Sequence, residues 1–135
     1  LGKKSKGILP IISNCPKDHH SLLQLYLDGP KDKIFYIFGV DKFKSAKIKS
    51  HNNNFYQKQD MERLKFAQKK ATIKVLKEKN IPYREFSITN INEETIGELF
   101  SYFMLETILA GKLINVNPFD QPAVEQVKSL TRKFL

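Results

Sequence analysis

The spacing of apolar residues along this chain changes period several times, and each change marks an element. Residues 1–17 show no period and are broken by Gly2, Gly7, Pro10 and Pro16, so they read as loop. Asp18 then opens a short helix over 19–27, with Leu22, Leu23, Tyr26 and Leu27 at helical spacing. Asp28-Gly-Pro-Lys-Asp32 is a turn. From 33 to 40 the chain is almost continuously apolar (Ile-Phe-Tyr-Ile-Phe-Gly-Val), which predicts a parallel strand buried on both faces. Residues 41–59 are polar and read as an exposed connection with a short extended piece at 46–49. Asp60 is then expected to cap a helix over 60–80, with Met61, Leu64, Ala67, Ala71 and Val75 on its inner side and lysines on its wet side.

Ile81-Pro82 is expected to end that helix, and residues 83–88 read as a second strand. Asn92 caps the next helix, over 92–110, with Glu93 and Glu94 in the first turn, where they suit the helix dipole. This helix carries Ile96, Leu99, Phe100, Phe103, Met104, Leu105, Ile108 and Leu109 most of the way round, so it is expected to be buried, with Gly111 as its stop. Pro122 sits at a first helical position and starts the last helix, over 122–135. Strand, long helix, strand, long helix is the order of a doubly wound α/β sheet. Two strands make a poor sheet by themselves, so the 135 residues read as one α/β domain belonging to a larger α/β unit.

Composition narrows the function classes. An apolar fraction of 41% and an aromatic fraction of 11% exclude wholesale disorder. No uninterrupted apolar run reaches the length of a spanning helix, and Ile8-Leu-Pro-Ile-Ile12 is too short for a signal peptide core. The first residue is Leu rather than Met, as expected of a processed or excised piece. A single cysteine, Cys15, allows no intrachain disulfide and suits a reducing compartment. The net charge of +9 invites a polyanion, but 20 of the 23 basic residues are scattered lysines and only Arg63, Arg84 and Arg132 offer a bidentate grip. A nucleic-acid-binding domain is therefore a minor reading.

Two local motifs carry chemistry. Asn117-Pro-Phe-Asp-Gln-Pro-Ala-Val-Glu-Gln-Val-Lys128 places Asp120 and Gln121 just before a Pro-initiated helix, with Lys128 nearly two turns along it. Free N–H groups at such a helix start suit an anion, and the lysine could donate to a hydroxyl in the same cleft. Taken alone, the motif is more simply a capped surface helix with a solvated lysine. The second motif, Asp18-His19-His20, puts two histidines at a helix start. Adjacent helical residues diverge by about 100°, so the pair cannot jointly grip a metal, although either could shuttle protons.

Together the motifs resemble the C-terminal part of glucose-6-phosphate isomerases of the compact bacterial kind. The family's second signature is matched by Gly111, Leu113, Ile114, Phe119, Asp120, Gln121, Val124, Glu125 and Lys128, and departs only at Ala123, where the family has Gly. His20-Ser-Leu-Leu-Gln-Leu followed by Leu-Asp-Gly-Pro-Lys-Asp resembles the family's histidine segment.

The resemblance implies a partial three-layer sandwich of the sugar-isomerase (SIS) kind and the interconversion of glucose 6-phosphate and fructose 6-phosphate through a cis-enediol, in glycolysis and gluconeogenesis. It implies His20 as the acid/base that opens the sugar ring, Lys128 at the ring oxygen and substrate hydroxyls, and Gln121 lining the substrate pocket. His19 does not match. The resemblance further implies a cytoplasmic homodimer in which His20 reaches the partner's site, with no metal, cofactor, nucleic acid or membrane. The family base is a glutamate in a Glu-Ser-x-Gly-Lys stretch. Because the chain starts Leu1-Gly2-Lys3, that glutamate is expected just upstream, and none of Glu62, Glu78, Glu85, Glu93, Glu94, Glu98, Glu106 or Glu125 stands in its place. The alternative within the same fold is a sugar-phosphate sensor that binds without turnover.

Overall fold

Parallel pairing of an apolar strand with a mixed one organises the larger part of the chain in the computed structural model, which describes residues 2–41 and 60–135. In chain order the elements are β1 (Gly2–Lys3), β2 (Lys6–Gly7), α1 (His19–Asp28), β3 (Phe35–Val40), α2 (Met61–Glu78), β4 (Tyr83–Ile88), α3 (Glu93–Leu113) and α4 (Pro122–Phe134). This is an α/β arrangement, and every helix and long strand predicted from the pattern is present. The connection expected over 41–59, including the extended piece at 46–49, lies beyond Asp41 outside the described residues. The chain divides into two compact units, one formed by 11–95 and one by 1–10 with 96–135.

In the unit of 11–95, β3 and β4 run parallel in register from Phe35 opposite Tyr83 to Val40 opposite Ile88. The ladder is extended at both ends, where Phe35 N–H donates to the Pro82 carbonyl and Asp41 N–H to the Ile88 carbonyl. Phe35 packs edge-on against Tyr26 of α1, with ring centroids 5.3 Å apart. Gly39 lets α2 approach: a Cβ there would meet the end of the Lys69 side chain, whose ammonium lies 2.8 Å from Glu85 on β4. Phe38 and Phe86 stack at 4.8 Å on the alternate positions, where Arg84 also donates to the Tyr36 hydroxyl.

The expectation that β3 is buried on both faces needs correction. Its residues alternate between half-buried and exposed, and Phe38 is 47% exposed. A parallel strand needs a layer on each side, and among the described residues Tyr36, Phe38 and Val40 are not fully covered.

Both long helices stop by the same device. At the end of α2, Ile81 N–H donates to the Leu76 carbonyl and Asn80 N–H to the Lys77 carbonyl. At the end of α3, Val116 bonds Gly111 and Asn115 bonds Lys112 in the same way. These are Schellman closures with asparagine in the left-handed position, at φ 54° for Asn80 and 55° for Asn115. Gly111 is therefore not the stop that the sequence suggested; it lies inside α3, buried, against Val116 and Pro118. The apolar residue after each asparagine is buried: Ile81, like Leu76, in the unit of 11–95, and Val116 in the other unit. Asn80→Val, which forces a β-branched residue into that conformation, should cost about 1–2 kcal/mol, whereas Asn80→Gly should be neutral or stabilising. Chemical denaturation of the two variants checks this.

The starts of the helices are more varied. Asn92 caps α3 as expected, its side-chain oxygen accepting from Thr95 N–H at 2.9 Å. Asp60 occupies the cap position of α2 with extended backbone, but its side chain makes no capping bond. α1 ends at Gly29, where a Cβ would sit 2.4 Å from the Leu25 carbonyl oxygen, too close for any other residue without a shift. Lys79 reaches Asp28 beside that end, and its ammonium holds the Asp28 carboxyl below the usual range. That contribution is present above the unfolded aspartate pKa of about 3.9 and is lost as pH falls through the lower folded value.

The unit of 1–10 with 96–135 departs further from the expected pattern. Residues 2–7 are not plain loop: β1 and β2 pair antiparallel, Gly2 opposite Gly7 and Lys3 opposite Lys6. Lys4 and Ser5 form the tight turn with φ of 52° and 58°, a backbone usually signalled by glycine or asparagine. The expected burial of α3 also fails. Phe100, Met104, Leu105 and Leu109 are exposed, Leu109 by 62%, because no layer among the described residues covers them. No helix among the described residues is long and apolar enough to cross a membrane.

Candidate functional site

His20 is the second residue of α1, in the unit of 11–95, and is exposed. Asp18, just ahead, does not cap the helix through its side chain. Its carboxylate instead accepts Asn14 N–H at 2.6 Å, which fixes the 14–18 turn leading into the helix. His19 points elsewhere, as their angular separation requires. It lines a groove with Leu23 and Leu27 of α1 and Gln68, Ala71, Thr72 and Val75 of α2. Among the described residues, His20 is the more exposed of the two imidazoles. Partial burial and the Asp18 carboxylate push the Cys15 thiol pKa up, so this thiol stays protonated at neutral pH.

Gln121 and Lys128 lie in the other unit. Gln121 is the N-cap residue of α4, with Pro122 following, and its side chain makes no capping bond. Its carbonyl accepts from Val124 and Glu125 and starts the helix. Gln121 and Lys128 are nearly two turns apart, so they share one side of α4 about 10 Å apart along its axis. Lys128 Nζ lies 2.7 Å from Glu125 Oε1, an exposed pair one turn apart. Such a pair is weakly held, so the ammonium can exchange Glu125 for another hydrogen-bond acceptor at little cost.

The stretch before Gln121 is braced from the far end of the chain. Asn117 Oδ1 accepts Phe119 N–H at 3.0 Å, a side-chain turn within the stretch. Lys3 donates to the Asn117 carbonyl and is ion-paired with Asp120. Its ammonium holds the Asp120 carboxyl below the usual range. Sequence reasoning singled out Asp120 but not Lys3, since nothing local signals a contact between residues so distant along the chain. Among the described residues no group of three or more His, Cys, Asp or Glu is placed to hold a metal ion.

Comparison with known proteins adds what geometry alone does not. No family model matches the chain. Curated proteins do: a probable glucose-6-phosphate isomerase of Methanococcus maripaludis is 34% identical over 136 residues, covering 100% of this chain and 31% of that protein. This chain is a homologue of the glucose-6-phosphate isomerases. The isomerase of Methanocaldococcus jannaschii is 34% identical over 133 residues (96% of this chain, 33% of that protein), and that of Mycoplasmopsis pulmonis 33% over 141 (99% and 33%). The chain thus spans about a third of the length of the isomerases it matches. A crystal structure of a hypothetical protein from Thermus thermophilus has the same fold, with a TM-score of 0.76 and 30% identity over 88% of this chain and 30% of that one.

Proposed function

We propose that the chain forms the C-terminal third of an aldose–ketose isomerase that interconverts glucose 6-phosphate and fructose 6-phosphate. The observation that carries this reading is identity of 34% with a probable glucose-6-phosphate isomerase across the entire chain. The chain's own groups fit parts of that chemistry. His20, exposed at the start of α1, is the acid/base of ring opening: it takes the proton from the hydroxyl on C1 and returns one to the ring oxygen. Lys128 donates to the ring oxygen and to the hydroxyls, stabilising oxygen charge as it develops. Gln121, its amide not used as a cap, lines the pocket for the phosphorylated sugar.

The isomerisation proper moves a proton from C2 to a carboxylate base and on to C1. O1 gains a proton as the cis-enediol forms, and O2 loses one as the ketone forms. On this reading the base precedes Gly2-Lys3 in a Glu-Ser-x-Gly-Lys stretch. The working form is a cytoplasmic homodimer of SIS-type three-layer sandwiches in which His20 completes the partner's site. Ring opening breaks the bond between C1 and the ring oxygen, the other steps are proton transfers, and on this reading neither a metal nor a cofactor takes part.

Isomerisation of fructose 6-phosphate by the natural gene product in deuterated water tests the enediol route. Deuterium is expected at C2 of part of the glucose 6-phosphate formed, because the protonated carboxylate exchanges with solvent while the enediol is bound; complete retention of the C1 hydrogen with no deuterium under any condition would favour a direct hydride shift instead. Residues 1–135 alone should show no measurable turnover, because the proposed base is not among them. Robust isomerisation by that piece would overturn this placement of the base.

A further inference from the structure

Three lysines of the β1–β2 hairpin converge on one short stretch of chain. Lys3 pairs with Asp120 and the Asn117 carbonyl, while the Lys4 and Lys6 ammonium groups each lie 3.4 Å from the carbonyl oxygens of Asn115 and Ile114. The receiving stretch runs from the last carbonyls of α3 to Asp120, so these cations sit at the negative end of a helix dipole. Lys4 and Lys6 contacts at that length contribute little. Lys3 differs: its side chain is only 17% exposed, while that of Asp120 is 57% exposed. Fixing a long lysine side chain costs rotamer freedom, so this one is ordered against entropy by two acceptors at once.

Those acceptors bracket the entry to α4. Gln121 follows Asp120 directly, its backbone is outside the helical range at φ −137° and ψ 66°, and its side chain has no capping bond to orient it. The direction of the Gln121 amide is therefore set by the backbone of 117–120. We propose that Lys3 is a positioning residue for Gln121, acting through its pairing with Asp120 and its bond to the Asn117 carbonyl. This rests on the reading of Gln121 as a substrate-pocket residue.

The test uses Lys3→Met and Asp120→Asn in the natural gene product, singly and together, beside Lys3→Arg. Kinetics with fructose 6-phosphate should show KM raised roughly tenfold to a hundredfold in both single variants, with a smaller change in kcat. The double variant should be no worse than either single one, and Lys3→Arg should retain most of the parent's KM. A fall in melting temperature and active fraction with KM unchanged would make the pair merely structural and overturn the proposal. If the parent itself fails to isomerise the sugar, the functional reading fails separately. The brace is then decided by the Gln121 side-chain amide resonances, which should broaden or split in Lys3→Met; unchanged resonances overturn it regardless of turnover.

Discussion

Replacing His20 by alanine in the natural gene product should lower kcat for glucose 6-phosphate by about 10²–10⁴-fold, the usual contribution of a positioned general acid or base. The size follows from the absence of a nearby substitute. His19 is next in sequence but faces the α1/α2 groove, and the groups that line this groove with it are apolar or neutral. His20 is exposed and buries little, so the variant should keep the parent's melting temperature. His19→Ala serves as the counterpart, expected to lower stability while leaving turnover nearly intact. Steady-state kinetics and thermal melts on both variants separate the roles. Equal losses of turnover, or a loss confined to His19→Ala, would remove His20 from the mechanism.

The largest stability effect is expected at Leu76. It is 1% exposed, the most buried side chain described, on the inner face of α2 where the helix closes through the Ile81-to-Leu76 bond. Truncation to alanine removes the transfer energy of the side chain and leaves a cavity at the end of the helix. Such changes cost about 2–5 kcal/mol, a large part of the roughly 5–15 kcal/mol that typically holds a domain together. Leu76→Met keeps the volume and should cost less than about 1.5 kcal/mol. Denaturant midpoints, with hydrogen exchange along α2, measure both. If Leu76→Ala behaved like Leu76→Met, the packing at this helix end would be contributing nothing.

The elements legible in the sequence were those specified by local physics. The helical spacing of Met61, Leu64, Ala67, Ala71 and Val75 located α2, Asn92 capped α3 through Thr95, and Pro122 opened α4. The apolar run predicts a parallel strand at Phe35–Val40, with a second at Tyr83–Ile88; the register between them comes only from the structure. Features that escaped prediction depend on partners far along the chain or on an unusual backbone. Lys4 and Ser5 turn the hairpin in the left-handed region without the glycine or asparagine that advertises such a turn.

Asn80 and Asn115, rather than Pro82 and Gly111, end the helices, because the left-handed residue closes the Schellman bonds and the breaker merely sits nearby. Apolar residues on all sides of β3 and α3 predict burial, as such residues normally are buried. Phe38 and Leu109 are nonetheless substantially exposed, in a chain about a third as long as its relatives. At the candidate site, Gln121 and Lys128 were legible as a motif. The brace from Lys3 was not, as only folding brings the first residues to the α3–α4 connection.

The central claim is that these residues belong to a working sugar-phosphate isomerase. A coupled assay of glucose 6-phosphate to fructose 6-phosphate conversion by the natural gene product tests it most directly, with the 135-residue piece alongside. Turnover is expected in the former and none in the latter. A gene product that binds fructose 6-phosphate yet never converts it would contradict the account and make the site a sensor of sugar phosphates.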